Sequence, residues 1–311
     1  MFRQSEAGAL GLTQAWLEQR ERSNHLAMRA LVRVALWLGR PVGRLLLYPI
    51  CFYFVLFTIR SKAGSRRYLA RVLGRRPTFG DVFRHFYCFA TVALDRMFLL
   101  HRGFEGFEIN VHGVNILEEA RDAGQPCFLL GAHFGSFEAL HVFGRTNNIR
   151  VTMMMFEHGS RNVNDLARAI DPELDRTVVG MGSVASMIKV SERLEGGDWV
   201  GMLGDRRIYD SGAVRVDFLG QSAQFPTAPY RIASIIGRPI VLMIALYMGG
   251  NRYDIHFERL VDAPKLDRKS RQETMQKWAS IYVQRLEYYC RLAPYNWFNL
   301  YDFWEDTNAD A

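Results

Sequence analysis

Cysteine is scarce in this sequence and its distribution excludes several classes of site. Each of the four cysteines lies within an apolar or aromatic run, with no CxxC spacing and no histidine cluster beside it (Cys51, Cys88, Cys127 and Cys290). A disulfide framework or a thiolate metal site needs paired or closely spaced cysteines. We therefore expect buried free thiols in a reducing compartment.

The sequence also lacks a cleavable signal pattern and any uncharged run of the roughly 20 residues that span a bilayer. Residues 45–59 form an uncharged run of 15 residues that is flanked by Arg44 and Arg60 and contains Pro49. We expect the N-terminal segment to be retained. Because both flanks are basic, this run is expected to dip into a membrane and return, or to lie in its interface.

Acidic residues are nearly absent from residues 23–102, which hold 14 lysines and arginines but only Asp81 and Asp95. The total charge of +7 then leaves the rest of the chain net negative. This distribution argues against a nucleic-acid-binding catalytic domain and favours an anionic membrane surface as partner of the N-terminal region. A helix is predicted from Ser23 or Asn24 to Leu38. The alternative is a soluble protein whose buried helix has arginine ends.

From residue 106 onward, short apolar runs alternate with helical patterns. Strand followed by helix, repeated, predicts an α/β fold with a central, mostly parallel sheet flanked by helices. Further apolar runs from "VRVDFLG" to "RYDIHFERL" are expected to continue this alternation of strands and helices, and residues 268–292 to form a closing helix. We predict an N-terminal membrane-associating helical region over residues 1–103 and a second domain over residues 104–311.

The stretch "GAHFGSFEAL" places His133 where a buried strand passes into a helix, the point where active groups gather in such sheets. If His133 precedes the helix and folds back, Glu138 can orient its imidazole so that the free nitrogen accepts a proton. The alternative is a histidine of structural role at a helix N-terminus. Ser136 lacks the GxSxG elbow of a nucleophile, and no ligand set completes a metal site around Glu138 and His141.

Two further stretches carry candidate functional side chains. Asp205, Arg206 and Arg207 follow the apolar run "WVGML", so they are expected at a strand's carboxyl end, facing a cleft or forming a surface salt link. Residues 153–156, "MMMF", are expected either to line an acyl channel or to form a plain core strand. "FPTAP" predicts a helix start with Thr227 in the cap position.

These blocks together resemble the bacterial lipid A late acyltransferases and their relatives in the lysophospholipid acyltransferase superfamily. The resemblance rests on the basic apolar N-terminus, the H-x-x-x-x-E box "HFGSFE", the strand-ending "MLGDRR" and the block "VDFLG…FPTAPYRIA…GRPIV". It implies acyl transfer from an acyl carrier protein or coenzyme A thioester to a hydroxyl of a membrane lipid or glycolipid. It also implies His133 as general base and Glu138 as its orienting carboxylate.

The ending "PYNWFNLYDFW" and the "GDRR" box depart from the pattern of the lipid A enzymes. They place the chain nearer to acyltransferases associated with glycolipid or aryl polyene assembly. We predict substrate-binding roles for Arg161, Asn164, Asp205 and Arg206, because arginine suits bidentate contacts to phosphate. No metal and no cofactor other than the acyl donor is expected, and the cytoplasmic face of the inner membrane is the expected location. Two alternatives are an acyl thioesterase and a non-catalytic scaffold.

Overall fold

A computed structural model describes residues 25–155, 178–180, 184–207, 212–262, 264–267 and 269–304, with side chains from residue 32 onward and without that of residue 184. The helices are α1 (His25–Leu38), α2 (Arg40–Phe57), α3 (Ile59–Leu73), α4 (Phe79–Arg102), α5 (Val114–Asp122), α6 (Phe137–Thr146), α7 (Val184–Glu195), α8 (Ala228–Ile236) and α9 (Arg271–Leu292). The strands are β1 (Glu108–His112), β2 (Phe128–Gly131), β3 (Val151–Met155), β4 (Val178–Gly180), β5 (Trp199–Leu203), β6 (Ala213–Phe218), β7 (Gln221–Pro226), β8 (Ile240–Gly249) and β9 (Arg252–Val261).

The central sheet has seven strands in the order β1-β9-β8-β2-β5-β3-β4. All neighbours pair in parallel except β8 and β9, which form an antiparallel pair. The prediction of a mostly parallel sheet flanked by helices is confirmed. Two buried hydrophobic clusters cover the two faces of this sheet, so the short central strands are apolar throughout.

One predicted strand does not join the central sheet. β6, from the "VRVDFLG" run, pairs only with β7 in a separate antiparallel hairpin. Leu219 and Gly220 both have positive φ angles, 51° and 80°, at its tight turn. Such a turn suits a two-residue hairpin. The alternating apolar pattern of β6 identified a strand correctly, but the pattern carries no information about which strand is its partner.

The N-terminal helices are packed on one another and on the C-terminal part of the chain. The α1 helix ends at Leu38, as predicted, and α4 begins with a capping box in which the Thr78 and Asp81 side chains each accept from the other residue's backbone N–H. Tyr68 of α3 packs against Trp297, with the ring centroids 4.9 Å apart and the rings tilted by 60°. The predicted domain boundary after residue 103 falls just beyond α4 and stays a prediction.

The α2 helix buries one face only. Its buried positions recur at intervals of four residues and pack towards α4 (Gly43, Leu47, Cys51 and Val55). Large apolar side chains around the rest of α1, α2 and the start of α3 are exposed (Trp37, Leu45, Tyr48, Phe52, Tyr53, Leu56, Phe57 and Ile59). We call this set the apolar face. Among the described helices, α2 is long and apolar enough to cross a membrane by length and composition. An exposed apolar surface of this kind marks an interaction site.

Candidate active site

His133 and Asp205 meet because the strands that precede them are paired. β2 and β5 lie side by side in parallel, with Gly131 opposite Leu203. His133 and Asp205 each follow two positions beyond these paired residues. The carboxyl ends of parallel strands open onto one edge of the sheet, where binding sites form.

The imidazole of His133 is held by the carboxylate of Asp205. Nδ1 of His133 lies 2.8 Å from Oδ1 of Asp205, and the backbone N–H of His133 donates to Oδ2 at 3.0 Å. Because the carboxylate accepts, Nδ1 carries the proton in the neutral ring and Nε2 keeps its lone pair. The His133 side chain is 30% exposed, whereas that of Asp205 is fully buried. This arrangement leaves Nε2 on a partly exposed ring, where it can accept a proton.

Two C-terminal side chains complete the surroundings of Asp205. The indole Nε1 of Trp297 donates to Oδ2 at 3.0 Å and Nδ2 of Asn299 donates to the same oxygen at 2.9 Å. Burial opposes ionisation of Asp205, but three effects outweigh it: the hydrogen bonds of His133, the charge that its imidazole carries at acid pH, and the charge of Arg206. They lower the pKa of Asp205 to about 2. Asp205 is therefore an anion at neutral pH.

The pKa of His133 lies below its ordinary value of 6.5. Burial is the main cause, and the nearby Arg206 guanidinium adds to it, while Asp205 acts in the opposite direction. A lowered pKa keeps the imidazole neutral at pH 7. His133 is thus in the protonation state that a general base requires.

Glu138 does not contact His133 in this structure, and here the predicted geometry is wrong. Its carboxylate lies in the first turn of α6, where Oε1 is 2.7 Å from Nε of Arg96 on α4. The Glu138 side chain is 8% exposed. The orienting partner is instead Asp205, 72 positions away in sequence, because the strand pairing and not the local turn presents a carboxylate to Nδ1.

The predicted substrate-binding residues are placed differently from one another. Asp205 has its oxygens occupied by the protein and is fully buried, so it cannot contact a substrate directly. Arg206 donates through Nε to Oδ1 of Asn299 at 2.6 Å and through an Nη to the Phe298 carbonyl at 3.2 Å. Arg161 and Asn164 lie outside the described residues. The surface-link alternative is also wrong for Asp205, because its contacts are internal.

The C-terminal stretch 296–299 was not identified from the sequence as part of the site. The Asn296 carbonyl accepts from the Gly135 N–H at 2.9 Å, and the Phe298 N–H donates to the His133 carbonyl at 2.8 Å. Trp297 and Asn299 bind Asp205, as described above. One sequence feature could have identified this stretch: two asparagines, Asn296 and Asn299, lie within an aromatic run. Buried amides require specific hydrogen-bond partners.

A buried histidine on α4 supports this C-terminal stretch from behind. Nε2 of His85 lies 2.8 Å from the Trp297 carbonyl, and Nδ1 lies 2.9 Å from Oγ of Ser65. Because the carbonyl can only accept, Nε2 carries the proton and Nδ1 accepts from the serine hydroxyl. Burial lowers the pKa of His85 to about 4, against a smaller opposite effect of the Trp297 carbonyl. His85 is therefore neutral in the folded protein.

Gly135 allows the turn after His133 to lie against β8. Its φ angle is +57°, and a Cβ at this position would lie 1.7 Å from the carbonyl oxygen of Ala245. The next residue, Ser136, caps α6 by accepting from the Ala139 N–H at 3.2 Å and is fully buried. The glycine in "FGS" is therefore required by the tight turn, and the serine is required as the buried cap of α6.

The remaining candidate groups lie elsewhere. Met153 and Met154 are buried in the core on opposite faces of the sheet, which fits the core-strand alternative, and Phe156 lies outside the described residues. Among the residues that the structure describes, the ligand atoms of His112, Asp254 and His256 lie within 4.8 Å of one another. This group is on strands β1 and β9, so it plays no part in the His133 site.

A family model for bacterial lipid A biosynthesis acyltransferases matches residues 86–305, which include His133, Asp205, Trp297 and Asn299. The chain belongs to this family. It is an acyltransferase of lipid biosynthesis that acts on an acyl donor and a lipid acceptor. The acyltransferase matches no curated protein. Its structure is similar, with a TM-score of 0.38 and 15% identity, to the crystal structure of PlsC from Thermotoga maritima, a 1-acyl-sn-glycerophosphate acyltransferase; 81% of this chain and 98% of that chain are covered.

Proposed function

We propose that this acyltransferase transfers a fatty acyl group from an acyl carrier protein or acyl-CoA thioester to a hydroxyl of a membrane lipid or glycolipid, with His133 as general base. The observation that carries this proposal is the 2.8 Å contact between Nδ1 of His133 and buried Asp205. It directs Nε2, on a partly exposed ring, away from the carboxylate. A base and its orienting group in this relation are the parts that nucleophile activation requires.

In the proposed reaction, Nε2 of His133 accepts the proton of the acceptor hydroxyl as its oxygen attacks the thioester carbonyl. The C–S bond then breaks, and the thiolate leaves with the proton that the imidazolium returns. Asp205 stays ionised and stabilises the imidazolium between these steps. Products are an ester and a free thiol, so atoms and charge balance without a further reactant.

The state of the cysteines and of Ser136 supports direct transfer of the acyl group to the acceptor, without an acyl-enzyme intermediate. All four cysteines are free and buried. Burial raises the pKa of Cys51 and Cys88 to about 12 and that of Cys127 to about 11, so their thiols stay protonated and unreactive. Ser136 is occupied as a helix cap.

We assign Glu138 to the same site through Arg96 and not through His133. The pair is nearly buried, with side-chain exposures of 8% and 21%, and it joins α6 to α4 beside the turn that carries His133. In this role Glu138 fixes the position of that turn. Arg206, held by Asn299 and Phe298, is proposed to attract the phosphate of the acceptor or of the donor's carrier group. Arg161 and Asn164 keep their predicted role as a proposal.

We further propose that the apolar face rests on the cytoplasmic leaflet of the inner membrane. The exposed aromatic and aliphatic side chains of α2 lie beside basic residues of α3, which would meet anionic headgroups. Changing Phe52 and Leu56 to glutamate should reduce sedimentation with anionic vesicles at least tenfold. Ile235→Glu is the matched control, because Ile235 on α8 is 74% exposed but does not belong to the apolar face. This variant should sediment as the wild type does.

Labelled donors test the reaction itself. The purified full-length protein is incubated with isotope-labelled acyl-acyl carrier protein or acyl-CoA and a bacterial lipid extract, and products are identified by mass spectrometry. A labelled ester on a lipid supports the proposal and identifies the acceptor. Donor hydrolysis that is faster without lipid than with it would identify a thioesterase instead.

A further inference from the structure

A basic pocket of about 730 Å³ lies between the start of α2, the end of α4 and the turn between β8 and β9. We call it the arginine pocket. Its lining includes three arginines and two tyrosines (Arg40, Arg44, Arg102, Tyr48 and Tyr87), with Glu105 as the acid in its described lining. This volume is in the range of ligand sites, which is roughly 300 to 1,000 Å³.

Two of these arginines are held in place by one buried carboxylate. Arg40 donates through Nε and an Nη to Asp95 at 3.0 and 2.9 Å, and Arg44 donates through an Nη to the same group at 2.8 Å. The Asp95 side chain is fully buried, and those of Arg40 and Arg44 are 13% and 18% exposed. One negative charge between two guanidiniums leaves an excess positive charge at the pocket wall.

The arrangement favours an added anion. Arg40 and Arg44 both line the pocket, and their side chains remain partly exposed. The Asp95 contacts fix the orientation of both guanidiniums, so less side-chain entropy is lost when a ligand binds. Arginine groups held in this way suit the oxygens of a phosphate.

The position of the pocket indicates where that phosphate comes from. Leu45 and Tyr48 belong both to the pocket lining and to the apolar face. A ligand with its charge among the arginines would therefore extend its apolar part along a surface that is itself apolar. The pocket is also separate from the Arg96–Glu138 pair. Arg102, in the pocket lining, lies six positions beyond Arg96 on α4, which is about 9 Å along the helix.

We propose that the arginine pocket binds the phosphate headgroup of an anionic membrane lipid, with the lipid chains against the apolar face. The inference rests on the membrane association proposed above, but it does not depend on acyl transfer. It adds a defined lipid site to a surface that would otherwise bind the membrane through general attraction.

The test measures binding by the full-length protein in a nonionic detergent. Dihexanoyl phosphatidic acid is the probe, because its glycerol has no free hydroxyl and cannot serve as acceptor. Dihexanoyl phosphatidylcholine and inorganic phosphate are the comparison ligands, titrated by calorimetry. The variants are Arg102→Ala and Arg44→Gln, with Arg76→Ala as a control that removes an exposed positive charge outside the pocket.

We expect phosphatidic acid to bind at least tenfold more tightly than either comparison ligand, and about tenfold more weakly to Arg102→Ala and Arg44→Gln. Arg76→Ala should bind as the wild type. An equal loss in Arg76→Ala would show general charge attraction, and equal affinity for inorganic phosphate would show a free-anion site; either result overturns the inference. If Arg44→Gln does not fold, Arg102→Ala, in the exposed last turn of α4, decides.

One further variant separates this inference from the proposed reaction. His133→Ala should bind phosphatidic acid as the wild type does, because the pocket does not include His133. A protein that transfers acyl groups but shows no binding contradicts the lipid site alone. A protein that binds the lipid but transfers nothing contradicts the proposed function alone.

Discussion

Nδ1 of His133 lies 2.8 Å from Oδ1 of Asp205, although 72 positions separate the two residues in the sequence. The contact depends on the parallel pairing of β2 with β5, which brings the two strand ends together. It also depends on Trp297 and Asn299, which fix the other oxygen of the carboxylate. The contacts around the His133 imidazole are therefore assembled from three distant parts of the chain.

The first prediction concerns this pair as a catalytic unit. His133→Ala removes the proton acceptor, so its transfer rate should fall by roughly 10²- to 10⁴-fold. Asp205→Asn should lose up to about 10⁴-fold, because the imidazole loses its fixed tautomer. The double variant should be about as slow as His133→Ala alone, since residues acting as a unit are not additive. Rates and thermal unfolding are measured together; folded His133→Ala that keeps more than about a tenth of the rate contradicts the role of His133.

The second prediction separates Glu138 from Asp205 by the pH dependence of the rate. Transfer should decline as the pH falls through the pKa of His133, which lies below 6.5, because only the neutral imidazole accepts a proton. Asp205→Asn removes the anion that raises this pKa, so the remaining activity should persist to lower pH. Glu138→Gln should leave the profile in place.

The cost of Glu138→Gln should appear mainly as lost stability. It leaves Arg96 without its nearly buried charged partner, a change that costs roughly 3 to 5 kcal/mol in buried pairs. Thermal unfolding of Glu138→Gln and of the wild type gives the measurement. A pH profile displaced as in Asp205→Asn would return Glu138 to the orienting role that the sequence predicted.

The third prediction concerns the turn after His133. Gly135→Ala combines a φ angle of +57° with a Cβ placed 1.7 Å from the Ala245 carbonyl oxygen. The turn must move, so we expect a loss of more than about 3 kcal/mol in the free energy of unfolding. Gly124→Ala is the matched control, because Gly124 has a φ angle of +64° but no atom within 4 Å of the added Cβ. It should lose only about 1 kcal/mol, and equal losses in both variants would contradict the close contact with β8.

The fourth prediction concerns the pH dependence of stability. The pKa of His85 falls from 6.5 in the unfolded chain to about 4 in the folded protein. Between these two pH values the unfolded state binds a proton that the folded state does not. The contribution of His85 to the free energy of unfolding is therefore fully present above pH 6.5 and is lost as the pH falls towards 4. This shift corresponds to a loss of about 3 kcal/mol across that interval.

His85→Gln provides the reference, because an amide can accept from Ser65 and donate to the Trp297 carbonyl without titrating. Melting temperatures at pH 7.5 and 4.5 should differ more in the wild type than in this variant. The pKa of His133 is also lowered and acts in the same direction, so only the difference between the two proteins reports on His85. Equal pH dependence in both would contradict a neutral buried His85.

Local residue patterns were sufficient to predict several features of this protein. Apolar periodicity predicted the strands and helices of the α/β fold, and the strand-to-helix junction identified His133. The run of residues 45–59, uncharged between arginines, predicted the apolar surface that α2 presents. These properties depend on residue spacing within one element, which the sequence states directly.

Long-range packing selects the carboxylate that contacts the His133 imidazole. Glu138 is five positions away but faces Arg96 across the α4–α6 contact, whereas Asp205 is distant in sequence and reaches Nδ1 through strand pairing. The same holds for Trp297 and Asn299, and for β6, which pairs with β7 outside the central sheet. Strand order and side-chain partners depend on packing between segments that are distant in the sequence. The spacing of residues within one segment therefore cannot predict them.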